Sequence, residues 1–537
     1  MYKKRLTVGL ALLLVVLIFG STLVVGTLKT RQPANAAGPS DWSTYLHDVA
    51  RSGFNSAETA INPGSASSLK PLWSYNEGTI IPTQPAVANG KIYWGSWDGI
   101  EHATNLNGSQ AWTANLGTVT SSSCQTTQGI VSAATVATVT INGTPTSVVF
   151  VGGGDTQFYA LNAATGAVIW HTPIGVSPNN VIWSSPVLYN GSIYISTSSL
   201  CDNPLTPGQI FRLDSVTGTV QNTFTDVPNG CVGAGVWGSV TIEASNGTLY
   251  FATGNGGGCS QSETMADAVV QLNASNLTFM NSWQVPPAQQ GSDMDFGSTP
   301  TLFPATIGGT VHHLFGVPSK NGTYYAFDET NIAHGPVWTA ALAQGGPGPE
   351  SGDGSISPSA WDGTNLYVGG GRTTIHAQSC QGGLRALDPA TGAFRWEQCM
   401  TDGPVIGAVT VVPGVVAVTE GTALWLMATT DGHSLFKTWD TSNGSLYYAS
   451  PTIANGAVYV ANKNGKLSAY GLGTPPSPTS TPPTPSPTTS PTPPPAVSGP
   501  VNKLWYFAEG RAGAGFKEFL TLGNPTTNAC QVTIQYL

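Results

Sequence analysis

Hydrophobic and polar positions alternate with period two over runs of about five to eight residues, the pattern of half-buried strands. The string FYALNAATGAVIW, ending at Trp170, shows the unit. An alternating run meets an Asn-Ala-Ala-Thr-Gly turn, and a second run closes on an aromatic residue. Asn or Asp at the first turn position hydrogen-bonds the turn backbone and Gly takes positive φ, so each unit predicts an antiparallel hairpin. The unit returns in IFRLDSVTGTVQNTF, ending at Phe224, and in VVQLNASNLTFMNSW, ending at Trp283. It returns again in strings ending at Trp338 and Trp396, with weaker copies ending at Trp112 and near Lys437. From Trp112 to Trp396 the ends recur every 54–59 residues.

A second hairpin precedes each closing one, as in GSVTIEASNGTLYFATG. Two hairpins per period make a four-stranded sheet, and a fixed period of such sheets marks a propeller. Seven closing strings are present. The last copy stops at LSAYGLG without its outer strand, while LKPLWSY, around Trp73, is an outer strand with no inner strands before it. The prediction is an all-β, eight-bladed propeller of four-stranded antiparallel blades, its last blade closed by the N-terminal strand, which removes exposed edges. The closing aromatic residues are expected to pack between blades.

Composition changes this picture little: 65 Gly, 39 Pro and only 9% charged residues suit short strands and tight turns. The net charge of −9 is spread without a Lys/Arg stripe, which argues against nucleic acid as a partner. The ends of the chain add more. Lys3, Lys4 and Arg5 precede an apolar run from Leu6 to Leu28. That order predicts export, either as a signal peptide cut near Ala34-Asn35-Ala36 or as a retained membrane helix. Both place the body outside the cytoplasm, secreted or membrane-anchored. Residues 1–37 are therefore read as signal or anchor and 38–473 as the propeller. Residues 474–500 are a Pro/Thr/Ser-rich linker, and 501–537 are the start of a truncated β domain or a docking tail.

An exported chain can keep disulfides. Of its seven cysteines, Cys380 with Cys399 is the preferred pair, because the two flank one two-strand unit; Cys231 with Cys259 and Cys124 with Cys201 are next. No CxxC or CxxCH occurs, so neither attached haem nor a thiolate zinc site is expected.

The Ala-x-Asp-x-x-Thr-Gly-x-x-x-Trp repeat, the opening segment DWSTYLHDVARSGFNSAE and the count of eight resemble the quinoprotein alcohol-dehydrogenase-like propellers, from about Asp41 to Gly473. The resemblance implies pyrroloquinoline quinone (PQQ) stacked at the axis above a calcium ion, with an Asp as base. Asn255, in LYFATGNGG, is similar to the family's calcium-binding Asn. Asp293 and Asp295, in GSDMDFGSTPTLF, resemble the segment of the catalytic Asp, and the sequence does not choose between them. Lys320 falls where the family places its quinone-contacting Lys or Arg. The three segments are expected at corresponding strand ends of successive blades. Two features depart from the family. Asp202 stands nearest the position of the calcium-binding Glu, and Cys124 stands alone where the family has adjacent cysteines.

Each residue also has a structural reading: Asn255 as a turn, Asp293 and Asp295 as loop caps, Lys320 as a hairpin flank. Gly352-Asp353-Gly354 reads as a turn and His312-His313 as part of a strand, since no acidic or His cluster lies nearby in sequence. The same repeat builds cofactor-free members, one of them a lipoprotein that scaffolds outer-membrane protein assembly, and fold does not fix function. Two readings are open. The first, favoured by the departures, is a binding or scaffold module at the cell surface, with a cell-envelope polymer or a protein as partner. The alternative is a PQQ- and calcium-dependent dehydrogenase of alcohols, sugars or polyols that passes electrons to a separate acceptor.

Overall fold

The computed structural model describes residues 40–473 apart from Ser122, Cys124 and Asn443. The apolar run, the linker and the C-terminal segment lie outside the described residues. Among the described residues no helix is long and apolar enough to cross a membrane.

The chain forms eight four-stranded antiparallel sheets, as the repeat predicts. The first blade comprises Ala86–Ala88, Lys91–Gly95, Ile100–Asn105 and Gln110–Asn115, from the axis outward. Innermost strands are buried and outermost strands largely exposed, which is why only the inner runs are continuously apolar. Blade 8 takes three strands from Thr452–Ala454, Ala457–Ala461 and Lys466–Gly471, and its outer strand, Lys70–Asn76, from the other end of the chain. Trp73 thus sits where the sequence places it.

Two repeated contacts join the blades. The closing Trp of one blade lies over the turn glycine of the next, and at Trp73, Trp112, Trp338 and Trp396, though not at Trp170, its indole donates to a carbonyl of that turn. Trp112 packs on Gly166 and donates to Ala163 O at 3.0 Å; Trp338 packs on Gly392 and donates to Pro389 O at 2.9 Å. These glycines have positive φ and no room for a Cβ beneath the ring, so the turn sequence and the Trp require each other. Nearer the axis, a Thr hydroxyl on the innermost strand donates to the carbonyl leading into the next blade. Thr135 bonds Pro186 O, Thr241 bonds Pro300 O, and Thr452 closes the ring on Pro85 O at 2.7 Å.

The segment before blade 8's outer strand seals one end of the axis. Ser40 pairs with Asn455 of blade 8, Trp42 with Val87 of blade 1, and Ser43 O with Val136 N of blade 2. Val49, Ala50, Ser52 and Gly53 then accept from Ile242, Leu302, Trp361 and Val411, in blades 4, 5, 6 and 7. Blade 3 is reached by Arg51, fully buried, whose guanidinium donates to Ser185 O and Pro186 O at 3.2 Å and to Val240 O at 3.0 Å. Every blade is therefore tied to residues 40–55.

Cys231–Cys259 and Cys380–Cys399 are bonded, as expected. Cys201 is also disulfide-bonded, while Cys124, its expected partner, falls outside the described residues. His312 and His313 lie in the strand Thr310–Pro318, and Gly352 and Gly354 take the positive φ of a turn.

Candidate functional site

The second strand of each blade carries the chain from the sealed face to the opposite one. Asp202 follows Ser192–Ser199 of blade 3, Asn255 follows Thr248–Ala252 of blade 4, and Lys320 follows Thr310–Pro318 of blade 5. Equivalent strand ends thus deliver three side chains to one mouth. Asp293 and Asp295 arrive differently from the expectation: they lie in the connection from Phe279–Gln284 of blade 4 to Thr301–Ile307 of blade 5, not at a strand end. All five residues line one cavity at the unsealed mouth, which shares Trp183 and Trp237 with the central well.

Lys320 is the centre of this cluster. Its Nζ lies 2.7 Å from Oδ1 of both Asp293 and Asp295, and 4.8 Å from the centre of the Trp237 ring. Burial works against the ammonium, but Asp295 and Asp293 outweigh it and hold the Lys320 pKa above the usual value. Asp293 is exposed, whereas Asp295 is almost fully buried. Burial pushes the Asp295 carboxyl up, opposed by Lys320. Trp237 Nε1 donates to Asp295 Oδ2 at 3.2 Å, while the buried Oδ1 is the oxygen that faces Lys320. The two acids are therefore unlike: one is a solvated counter-ion, the other a carboxylate shielded from water and held by both Lys320 and Trp237.

Asp202 is raised by burial and by Asp295 and Asp293. A further acid, Asp267, is pushed up to about 7 by burial and by Asp295, opposed by Lys320. Four carboxylates thus share a neighbourhood with a single lysine. With the amide oxygen of Asn255 they form a hard-oxygen donor set of the kind that calcium takes. Their ligand atoms do not converge as a preformed metal cage; the three tight groups among the described residues lie elsewhere.

Sequence reasoning passed over Trp237 and Asp267. Trp237 carried a signal: it falls outside the 54–59-residue phase of the closing aromatics, within the glycine-rich VGAGVWGSV. Trp97 and Trp183 are out of phase too, and all three line the well with Tyr448, Ile356 and Ile406. Trp183 meets Trp237 edge-on at 5.8 Å. Tyr45, from the sealing segment, also lines the well.

The comparisons with known proteins agree with the fold. The family described as outer membrane protein assembly factor BamB, built on the PQQ repeat, matches residues 98–265 and 320–474, more than half of the chain. A polyvinylalcohol dehydrogenase from Pseudomonas sp. is 24% identical over 501 residues, covering 80% of this chain and 74% of the relative. A quinohemoprotein alcohol dehydrogenase from Comamonas testosteroni is 26% identical over 337 residues, 56% of this chain and 46% of that protein. The crystal structure of the Comamonas testosteroni quinohemoprotein alcohol dehydrogenase superposes with a TM-score of 0.63 at 18% identity, covering 81% of each chain. A europium-containing methanol dehydrogenase gives 0.61 at 14% identity, over 81% of this chain and 98% of the other. The chain belongs to the PQQ-repeat family described as outer membrane protein assembly factor BamB, and its eight-bladed propeller is of the quinoprotein alcohol-dehydrogenase-like type.

Proposed function

We propose that this chain is a PQQ-dependent dehydrogenase of alcohols, working outside the cytoplasm on secondary alcohols and polyols, polymeric ones included. The observation that carries the reading is the Asp293–Lys320–Asp295 bridge beside the Trp237 face, in a well closed at its far end. An empty scaffold has no need of a lysine buried between two acids at the mouth of an aromatic well. The named relatives, polyvinylalcohol and quinohemoprotein alcohol dehydrogenases, favour the same reading over a cell-surface scaffold. This reverses the order in which the sequence ranks the two.

The residues present fit both groups. Trp237 offers a planar floor to a flat quinone, and Asp202 with Asn255 would hold calcium through oxygen; Asp202 reaches one methylene less far than a Glu. Bound there, the quinone would accept the hydride and calcium would polarise its carbonyl. Asp295, buried beside the Trp237 face, would take the substrate hydroxyl proton. Lys320, kept protonated by its two acids, would donate a hydrogen bond to a quinone oxygen. Trp97, Trp183 and Tyr448 present aromatic faces to the C–H groups of a polyol chain. Substrate would lose a hydride and a proton and become a carbonyl compound, with the electrons passing to a separate acceptor. Export through the apolar N-terminus agrees with the disulfides, and residues 474–500 would space the propeller from the C-terminal segment.

Titration of the full chain with PQQ and calcium tests this, read by absorbance, by thermal shift and by dye reduction with 2-propanol or polyvinyl alcohol. The expected result is a saturable, calcium-dependent rise in Tm that Asn255→Ala abolishes, together with alcohol-dependent dye reduction. No calcium-dependent shift and no dye reduction would return the chain to the scaffold reading.

A further inference from the structure

The sequence sets His312 and His313 aside because no acidic cluster lies nearby along the chain. The fold supplies one. His313 lies opposite the turn that follows Thr323–Asp328, and Glu329 N donates to His313 O at 3.0 Å. The adjacent blade contributes Glu243, at the end of Thr241–Glu243. One ligand atom each from Glu243, His313 and Glu329 lies within 4.8 Å of the others. The group lies on the sealed face, away from the mouth with Asp295 and Lys320.

Three observations separate this trio from a chance cluster. Its members come from two blades, and Gln271 Nε2, bonded to Glu329 O at 3.0 Å, fixes their separation. Glu329 is more than nine-tenths buried, yet neither it nor Glu243 has a Lys or Arg partner among the described residues. The acid pair at the mouth, by contrast, is bridged by Lys320. Finally, the exposed imidazole of His313 leaves the group open to solvent on one side.

The other two convergent groups are less suited. Cys231 and Cys259, beside Glu263, are already bonded to each other and offer no thiolate. In the group of Glu77, Asp98 and His102, the second imidazole nitrogen is buried without a partner. A ligating His normally donates that N–H to an acceptor.

We propose that Glu243, His313 and Glu329 bind one divalent cation of the zinc type, which braces blade 4 to blade 5. An imidazole with two carboxylates favours a borderline metal over calcium, which wants six to eight oxygens. Bonds of about 2.0–2.2 Å require the ligand atoms to lie about 3–4 Å apart. Small side-chain rotations bring them there, and water completes the shell on the exposed side. The site is independent of the quinone site and stands whether or not the chain is a dehydrogenase.

The test is calorimetric titration of the chelator-treated full chain with zinc chloride, with Tm measured alongside. The expected result is one saturable equivalent and a raised Tm. His313→Ala and Glu243→Gln should each weaken Kd by about tenfold or more. His312→Ala should leave binding intact, since that imidazole pairs with Asp328 at 2.7 Å. Absence of saturable binding overturns the proposal, as does binding that survives His313→Ala. Displacement of zinc by an equal concentration of calcium overturns the assignment of metal type.

Discussion

Gly297 lies directly against the indole of Trp237: a Cβ built at Gly297 would come within 2.0 Å of the ring. The missing side chain is what lets the ring occupy the mouth and donate to Asp295. Gly297→Ala should therefore displace Trp237 without emptying any core. The expected outcome is loss of calcium-dependent PQQ binding by at least about tenfold, with unfolding free energy lowered by no more than the strain of one added methyl, about 1–3 kcal/mol. Binding titration and thermal melting on the same variant separate the two effects.

Asp295 and Lys320 should share a pH signature. Asp295 must be ionised to act as base, and burial raises its carboxyl while Lys320 opposes that rise. The acidic limb of the kcat/KM profile should therefore lie above the ordinary carboxylate range. Lys320→Gln removes the opposing charge and should move that limb to higher pH, whatever it does to the rate. A limb that stays in place would assign the base elsewhere.

Glu101 occupies a position that other blades fill with hydrophobic residues. Counted from the register shift between third and outer strands in the seven blades that have one, it corresponds to Phe158, Ile210, Val269, Leu384, Leu424 and Leu467. Both of its oxygens are buried without a partner, and burial holds its pKa well above the usual value. Glu101→Leu should stabilise the propeller by about 1–3 kcal/mol near neutral pH. Below the unfolded carboxyl pKa both states of the wild type are protonated, so the gain over wild type is smallest there. As pH rises, only the unfolded chain ionises, wild-type stability falls, and the gap widens until the folded pKa is reached. Melting curves across pH measure this directly.

The joint between blades 3 and 4 replaces the usual lock with another. Phe224 stands where a closing Trp is expected, and the turn it faces carries Leu277 at φ +56° in place of Gly. The hydrogen bond an indole would make comes instead from Tyr194 Oη, which donates to Ala274 O at 2.7 Å. Tyr194→Phe should cost about 1–2 kcal/mol, read by denaturant melts. Restoring the ordinary pair, Phe224→Trp with Leu277→Gly, should recover part of that loss; no recovery would show that the substitutions are unrelated.

The blades were legible because each repeats the same turn chemistry, and Trp73 was assigned to the closing strand because it lacked inner strands of its own. Lys320, Asn255 and Asp202 were legible through the family resemblance, and equivalent strand ends in successive blades bring them to one mouth. What escaped depended on distances the repeat does not encode. Trp237 was hidden among tryptophans whose ordinary work is packing. Asp267 gains its character from burial and from Asp295, opposed by Lys320, and both of those residues reach it from other segments of the chain. Glu243 lies far from His313 in sequence, and only the joint between blades brings them together.

The sealing segment sets a condition on time as well as on shape. Ser40 bonds Asn455, 415 residues further along the chain, and Lys70–Asn76 pairs with Lys466–Gly471. The first residues of the propeller to be synthesised cannot be placed until the last are made. Contacts so remote in sequence form slowly, and in the interval the innermost strands lack their lid and blade 8 lacks its edge. A nascent chain of this design remains vulnerable for its whole length and becomes protected in one final step.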